Sequence, residues 1–98
     1  MPVSSEIVRV HVWVRGRVQN VGFRAFVVAQ AQNLGLNGWV KNMGWDTVEA
    51  VAEGERGIVE QFVEMMRQGP RGSRVDEARI ENEVPTGEIS GFEVKRSL

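Results

Sequence analysis

The residues from 7 to 15 alternate between apolar and polar side chains. The apolar set is Val8, Val10, Val12 and Val14, and the other set is Arg9, His11, Trp13 and Arg15. Successive side chains of a β-strand point to opposite faces, so this pattern predicts a strand that is buried on one face. A sheet built on such a strand needs a covering layer on one side, and its other side is expected to face water.

Two amphipathic helices can supply that layer. The first is predicted over residues 23–34, with an apolar stripe of Phe23, Val27, Ala31 and Leu34. The second is predicted over residues 55–68, with a stripe of Ile58, Val59, Phe62, Met65 and Met66. Gly35 is expected to cap the first helix in a left-handed conformation, and Gly69 with Pro70 ends the second.

Further strands are predicted over residues 36–42, 47–53, 75–84 and 92–96, with Gly54 interrupting the chain after the second of these. Ala78, Ile80 and Val84 are expected to share one face. The order β-α-β-β-α-β with a short final strand predicts an α+β fold. It is the ferredoxin-like split βαβ sandwich, with two helices on one face of an antiparallel sheet.

The 98 residues allow one domain, predicted over residues 1–98 with residues 1–6 flexible. The formal net charge of −1 argues against a nucleic acid or membrane partner held by bulk charge. There is no cysteine and one histidine, which argues against disulfides, a thiolate metal site and a cysteine nucleophile. No signal peptide or membrane span is recognisable, so a cytoplasmic location is expected.

The segment Gly16-Arg17-Val18-Gln19-Asn20-Val21-Gly22-Phe23-Arg24 carries the strongest functional signal. It joins a strand to a helix through residues that tolerate positive φ, so main-chain N–H groups can converge on one point. The helix N-terminus and Arg24 add positive charge, which favours an anion such as phosphate. A plain glycine-containing connection with a surface arginine is the alternative, since the spacing matches neither a Walker loop nor a dinucleotide loop.

The same segment closely resembles the first acylphosphatase signature, G-x-V-Q-G-V-x-F-R. Gly38-Trp39-Val40-Lys41-Asn42, followed by Thr47-Val48-Glu49 and Gly54, resembles the second. The resemblance covers nearly the whole chain. It implies that Arg24 binds the substrate phosphate, that Asn42 orients the attacking water, and that the amides of Gln19, Asn20, Val21, Gly22 and Phe23 complete the phosphate site. It also implies a small-molecule acyl phosphate substrate and no metal or cofactor; a monomer is expected.

Two residues depart from the family pattern. Asn20 and Asp46 stand where the family usually has glycine. Asparagine and aspartate are the other residues that best tolerate left-handed conformations, so the loop shapes are expected to survive.

This chemistry needs few groups. A carboxylate leaves without a proton, so no general acid is required. Phosphoryl transfer depends on positioning and electrostatic stabilisation. A neutral asparagine can hold a water but cannot take its proton, and the family mechanism implied by the resemblance lets the substrate phosphate accept it.

Other interpretations remain open at this point. The chain could be a non-catalytic phosphate-binding or interaction module of the same fold. Trp13 and Trp39 could offer an RNA-stacking surface, although cross-strand packing is favoured because the usual aromatic RNA-binding pattern is absent. His11 is expected to be a solvent-exposed surface residue. Trp45 is expected either to line the substrate mouth or to be an incidental surface residue.

Overall fold

The computed structural model describes residues 6–96. The elements in chain order are β1 (Ile7–Arg17), α1 (Phe23–Asn33), β2 (Asn37–Met43), β3 (Thr47–Glu55), α2 (Arg56–Gln68), β4 (Arg74–Glu83) and β5 (Phe92–Val94). This order confirms the predicted fold class. Neither helix within residues 6–96 combines the length and the apolar character that crossing a bilayer would require.

The five strands form one sheet in the order β4-β1-β3-β2-β5. All neighbouring strands are antiparallel except β5, which runs parallel to β2. The prediction of a fully antiparallel sheet is therefore wrong at this edge. The reason is geometric: β4 and β2 run in opposite directions, so a chain that leaves the end of β4 and turns back must run in the direction of β2.

The core lies between the helices and one face of the sheet. In register, Val12 of β1 stands opposite Ala50 of β3 and Ile80 of β4 on that face. Phe23 and Phe62 are fully buried against it, one from each helix. The predicted apolar stripes thus face the sheet, although their outer members Leu34, Ile58 and Met65 are only half-buried.

Gly54 does not interrupt the third strand as predicted, because it lies within β3. The side chain of Leu36 occupies the position that a Cβ at Gly54 would need. This glycine therefore permits close packing and does not break the strand. Val84 also departs from the prediction: it lies beyond the end of β4, is 83% exposed and is followed by Pro85.

The sheet face away from the helices is less exposed to solvent than expected. The central strand β3 has three buried residues on this face: Glu49, Val51 and Glu53. Glu53 accepts hydrogen bonds from the main-chain N–H groups of Thr86 and Gly87, both 3.0 Å away. The connection that crosses from β4 to β5 therefore folds over this face and covers part of it.

His11 is not the solvent-exposed residue that its position on the strand suggested. Its ring nitrogens lie 2.6 Å from Glu49 Oε2 and 2.7 Å from Glu83 Oε2. Its ring stacks on Trp13 at a centroid distance of 3.9 Å and meets Trp39 edge-on at 5.7 Å. Trp13 stacks on His11 within its own strand, and only Trp39 of β2 meets that ring from another strand. The predicted pairing of Trp13 with Trp39 is therefore replaced by contacts that each tryptophan makes with His11.

Candidate active site

The loop between β1 and α1 is anchored where it leaves the sheet. The pairing of β1 with β4 shifts register between Arg15 and Gly16. The N–H of Gly16 turns instead to the main-chain oxygen of Asp46, 3.0 Å away. A Cβ at Gly16 would collide with the main chain of Arg74, so only glycine allows this close approach.

Two residues with positive φ shape the rest of the loop. Asn20 has φ 62° and is the one non-glycine residue with positive φ within residues 6–96. Gly22 has φ 75° and precedes the first residue of α1, Phe23. The left-handed conformation expected of Asn20 is therefore present. The helix that follows presents its first N–H groups, which lie outside the helical hydrogen-bond ladder, toward the loop.

A cavity of about 310 Å³ lies against this loop. Its walls are formed by Val18, Asn20, Gly22, Phe23, Arg24, Ala25, Asn42 and Val94. The fold thus brings five of the seven predicted site residues to one cavity. The other two do not line it: the side chain of Val21 packs against the core, and that of Gln19 points to the neighbouring turn.

Arg24 and Asn42 reach the cavity from different elements. Arg24 is exposed in the first turn of α1, and Asn42 is half-buried near the end of β2, opposite Val48 of β3. The register places Asn42 on the helix-facing side of the sheet, where its Oδ1 atom is enclosed. Arg24 is the one formally charged residue among those that line the cavity, so the cavity favours an anion.

The side chain of Gln19 makes a contact that the sequence pattern did not predict. Its side-chain Nε2 donates to the main-chain oxygen of Thr47 at 2.9 Å and of Gly44 at 3.1 Å, with that of Met43 at 3.5 Å. The family resemblance implied a role only for the main-chain amide of Gln19. No spacing signal could reveal the side-chain contact, because the acceptors are main-chain atoms in and beside the β2–β3 turn, more than twenty residues away.

The turn between β2 and β3 differs from the expected form. The family resemblance placed the demand for a left-handed residue at Asp46, but the residue with positive φ is Gly44, at 64°. Since glycine stands two positions earlier, Asp46 is relieved of that role. Its side chain instead accepts a hydrogen bond from the hydroxyl of Thr47 at 3.0 Å.

Trp45, in the same turn, is 84% exposed. It lines a second cavity of about 380 Å³ together with Arg17, Asn20 and Arg74. Asn20 also lines the first cavity, so the two cavities adjoin along the loop. The tryptophan thus lines the adjoining cavity, while Arg24 and Asn42 line the first one.

The site lacks the groups of a metal centre. Among residues 6–96, no three side chains of histidine, aspartate or glutamate gather in a way that could hold a metal ion. The first cavity offers one guanidinium, the start of a helix and the neutral amides of Asn20 and Asn42. This combination can bind a small anion and hold one water or hydroxyl group beside it.

The chain is similar to known acylphosphatases in sequence and in structure. The acylphosphatase family model matches residues 10–94. An acylphosphatase of Trichormus variabilis is 51% identical over 93 residues, which are 95% of this chain and 91% of that protein. The crystal structure of acylphosphatase from Bacillus subtilis superposes with a TM-score of 0.86 at 34% identity, covering 91% of this chain and 99% of that one. The structure of an acylphosphatase from Coxiella burnetii superposes with a TM-score of 0.85 at 38% sequence identity, covering 91% of this chain and 93% of that one.

Proposed function

This chain belongs to the acylphosphatase family and hydrolyses the carboxyl–phosphate bond of acyl phosphates, and we propose that Arg24 and Asn42 carry the reaction. In this proposal Arg24 and the main-chain amides of residues 19–23 hold the phosphate. Asn42 orients the attacking water. The observation that supports this division is that Arg24 and Asn42 line one cavity from two separate elements.

The chemistry fits these groups. Water attacks phosphorus, the bond between phosphorus and the acyl oxygen breaks, and a carboxylate leaves without needing a proton. The negative charge spreads over the phosphoryl oxygens in the transition state, where a guanidinium and a ring of N–H groups stabilise it. The amide of Asn42 can accept one hydrogen bond from the water but cannot remove its proton, which passes to a phosphate oxygen.

Acetyl phosphate hydrolysis in ¹⁸O-labelled water tests this proposal. Attack at phosphorus puts the label in inorganic phosphate, whereas attack at the carbonyl carbon puts it in acetate. We expect the label in phosphate with the wild-type protein, and no catalysis by a variant that carries both Arg24→Ala and Asn42→Ala. Phosphate binding by the wild-type protein without turnover would identify the alternative, a non-catalytic phosphate-binding module.

The protein is further proposed to act as a single-domain monomer in the cytoplasm. Two of the most exposed large apolar side chains lie apart, Trp45 in the β2–β3 turn and Val84 after β4. Their separation supports a monomer, because an interface between subunits needs a continuous apolar patch. Sedimentation equilibrium across a range of protein concentrations tests the oligomeric state. A concentration-dependent increase in mass would contradict it.

A further inference from the structure

The two halves of the site come from segments far apart in the chain. The phosphate loop lies between β1 and α1, whereas Asn42 stands one residue before the end of β2. In-line attack requires a water and a phosphorus atom to be held about 3–3.5 Å apart, and a misplacement of about 1 Å can cost about 100-fold in rate. Whatever joins these two segments therefore bears on turnover.

The side chain of Gln19 connects the two segments through hydrogen bonds. Its main chain belongs to the phosphate loop, while its Nε2 reaches the oxygens of Thr47 at 2.9 Å and Gly44 at 3.1 Å. The two N–H bonds of a primary amide match these two acceptors. Gly44 lies in the turn directly after β2, and Thr47 is the first residue of β3, so the two acceptors stand two and five residues beyond Asn42.

A second hydrogen bond connects the same two segments at the base of the loop. There, the N–H of Gly16 donates to the oxygen of Asp46 at 3.0 Å. The hydrogen bond of Gly16 uses main-chain atoms, so a substitution of the Gln19 side chain leaves it in place. The hydrogen bonds of Gln19 lie next to the left-handed residue Asn20 and depend on one side chain. They can therefore be removed while the loop stays attached to the sheet through Gly16.

We infer that the side-chain amide of Gln19 is a positioning group, which sets the place of Asn42 relative to the phosphate loop. The inference rests on the proposed function, because it gives Asn42 the attacking water. The side chain of Gln19 does not line the cavity and touches neither phosphate nor water in this scheme. Its loss therefore acts on turnover, whereas the main-chain amides and Arg24 still hold phosphate.

The test replaces Gln19 with methionine, which has the same number of side-chain heavy atoms along its length but no N–H donor. Gln32→Met is the matched control, because Gln32 Nε2 also donates to a main-chain oxygen, that of Phe92, at 3.2 Å. Gln19→Met is expected to lower kcat for acetyl phosphate about 10- to 100-fold. The inhibition constant of inorganic phosphate should stay within about threefold, and Gln32→Met should leave both unchanged.

Amide NMR spectra supply a readout that does not depend on activity. Gln19→Met should shift the signals of residues 44–47 and of the Asn42 side-chain amide, and Gln32→Met should not. Gln19→Asn keeps the amide but is one methylene shorter, so it serves as a second variant if the first fails to fold. It should act in the same direction.

Three results would overturn the inference: wild-type turnover in Gln19→Met, unshifted turn and Asn42 signals, or a loss of phosphate affinity as large as the loss of kcat. The last would mean that Gln19 holds the loop itself. A wild-type protein that bound phosphate without hydrolysing acetyl phosphate would contradict the proposed function instead. The NMR comparison would then decide whether Gln19 fixes the place of Asn42.

Discussion

Arg24 and Asn42 line the same cavity, one from the first turn of α1 and the other from the end of β2. One carries a fixed positive charge and five N–H donors, and the other is neutral and can both donate and accept. A phosphate held by the first therefore lies beside a group suited to holding water. This pairing separates the two proposed roles, binding and attack, between two residues that can be changed one at a time.

Loss of the guanidinium should nearly abolish activity. Arg24→Ala and Arg24→Lys are each expected to lower kcat/KM by at least about 100-fold, because lysine keeps the charge but not the planar fork. Arg24 is exposed, so both variants should unfold at the wild-type temperature. Steady-state kinetics with acetyl phosphate measures the effect, and Arg71→Ala, an exposed arginine outside the cavity, is the control. Full activity in a folded Arg24 variant would remove it from the phosphate site.

Asn42→Ala should separate turnover from binding. We expect kcat to fall about 100-fold while inorganic phosphate, a product that competes with substrate, inhibits with nearly unchanged affinity. The control is Asn82→Ala, an exposed asparagine on the helix-facing side of β4, which should behave as wild type. Equal losses of turnover and phosphate affinity would show that Asn42 binds phosphate and not the water.

The sequence predicted most of the fold because its signals are local. The alternation in β1 and the stripes of α1 and α2 each report one buried face, and the structure places those faces together. The glycine-rich loop likewise carried its own signal, since positive φ at Asn20 and Gly22 is a property of residue type.

The errors arose where residues distant in sequence meet. His11 follows the polar alternation of β1, yet Glu49 and Glu83 from two neighbouring strands enclose it. Gln19 was placed in the site for its main chain, whereas its side chain binds a turn that no local pattern links to it. Gly54 resembled a strand break because the covering side chain of Leu36 cannot be seen in a linear pattern.

Activity should not depend on a divalent metal ion. The chain has no cysteine and a single histidine, and that histidine is engaged by Glu49 and Glu83 away from the cavity. The proposed charge stabilisation comes from Arg24 and main-chain N–H groups. Acetyl phosphate hydrolysis is therefore expected to be unchanged after dialysis against a chelator. Activity that is lost on chelation and restored by one specific ion would contradict this mechanism.

Protonation of Glu83 should lower the free energy of unfolding of the protein at acidic pH. The hydrogen bond from His11 lowers the pKa of the Glu83 carboxyl from its ordinary 4.5, and Arg9, 2.8 Å away, lowers it further against the opposing effect of burial. Since the folded protein holds this carboxylate charged to lower pH than the unfolded chain does, its stabilising contribution is complete above about pH 4.5 and is lost as the pH falls through the lowered pKa.

Glu83→Gln should therefore be less stable than wild type at neutral pH, by roughly 1 kcal/mol. The difference between the two should shrink as the pH falls below about 4. Urea denaturation at a series of pH values measures it. Glu81→Gln, two residues earlier on the same strand and in an exposed pair with Arg79, is the control and should change stability little. A constant difference between Glu83→Gln and wild type down to strongly acidic pH would refute the linkage.

Asn20 holds a left-handed conformation, at φ 62°, in the middle of the phosphate loop. An L-residue with a Cβ incurs strain there that glycine avoids, and the side chain of Asn20 also occupies part of the cavity wall. Glycine, however, loosens the free loop, and ordering it when phosphate binds costs about 1 kcal/mol or less. The opposing effects are similar in size.

Asn20→Gly should therefore be tolerated, with phosphate affinity changed by less than about tenfold, which corresponds to ~1.4 kcal/mol. Stronger binding is the expected direction, since the anion can approach the amides more closely. Calorimetric titration with inorganic phosphate measures it, and Asn20→Ala is the matched variant because alanine also removes the amide but keeps the Cβ. If both variants lost phosphate binding while folded, the Asn20 side chain itself would hold the ligand or the loop. If only Asn20→Ala lost it, the left-handed backbone would be the requirement, as its φ value indicates.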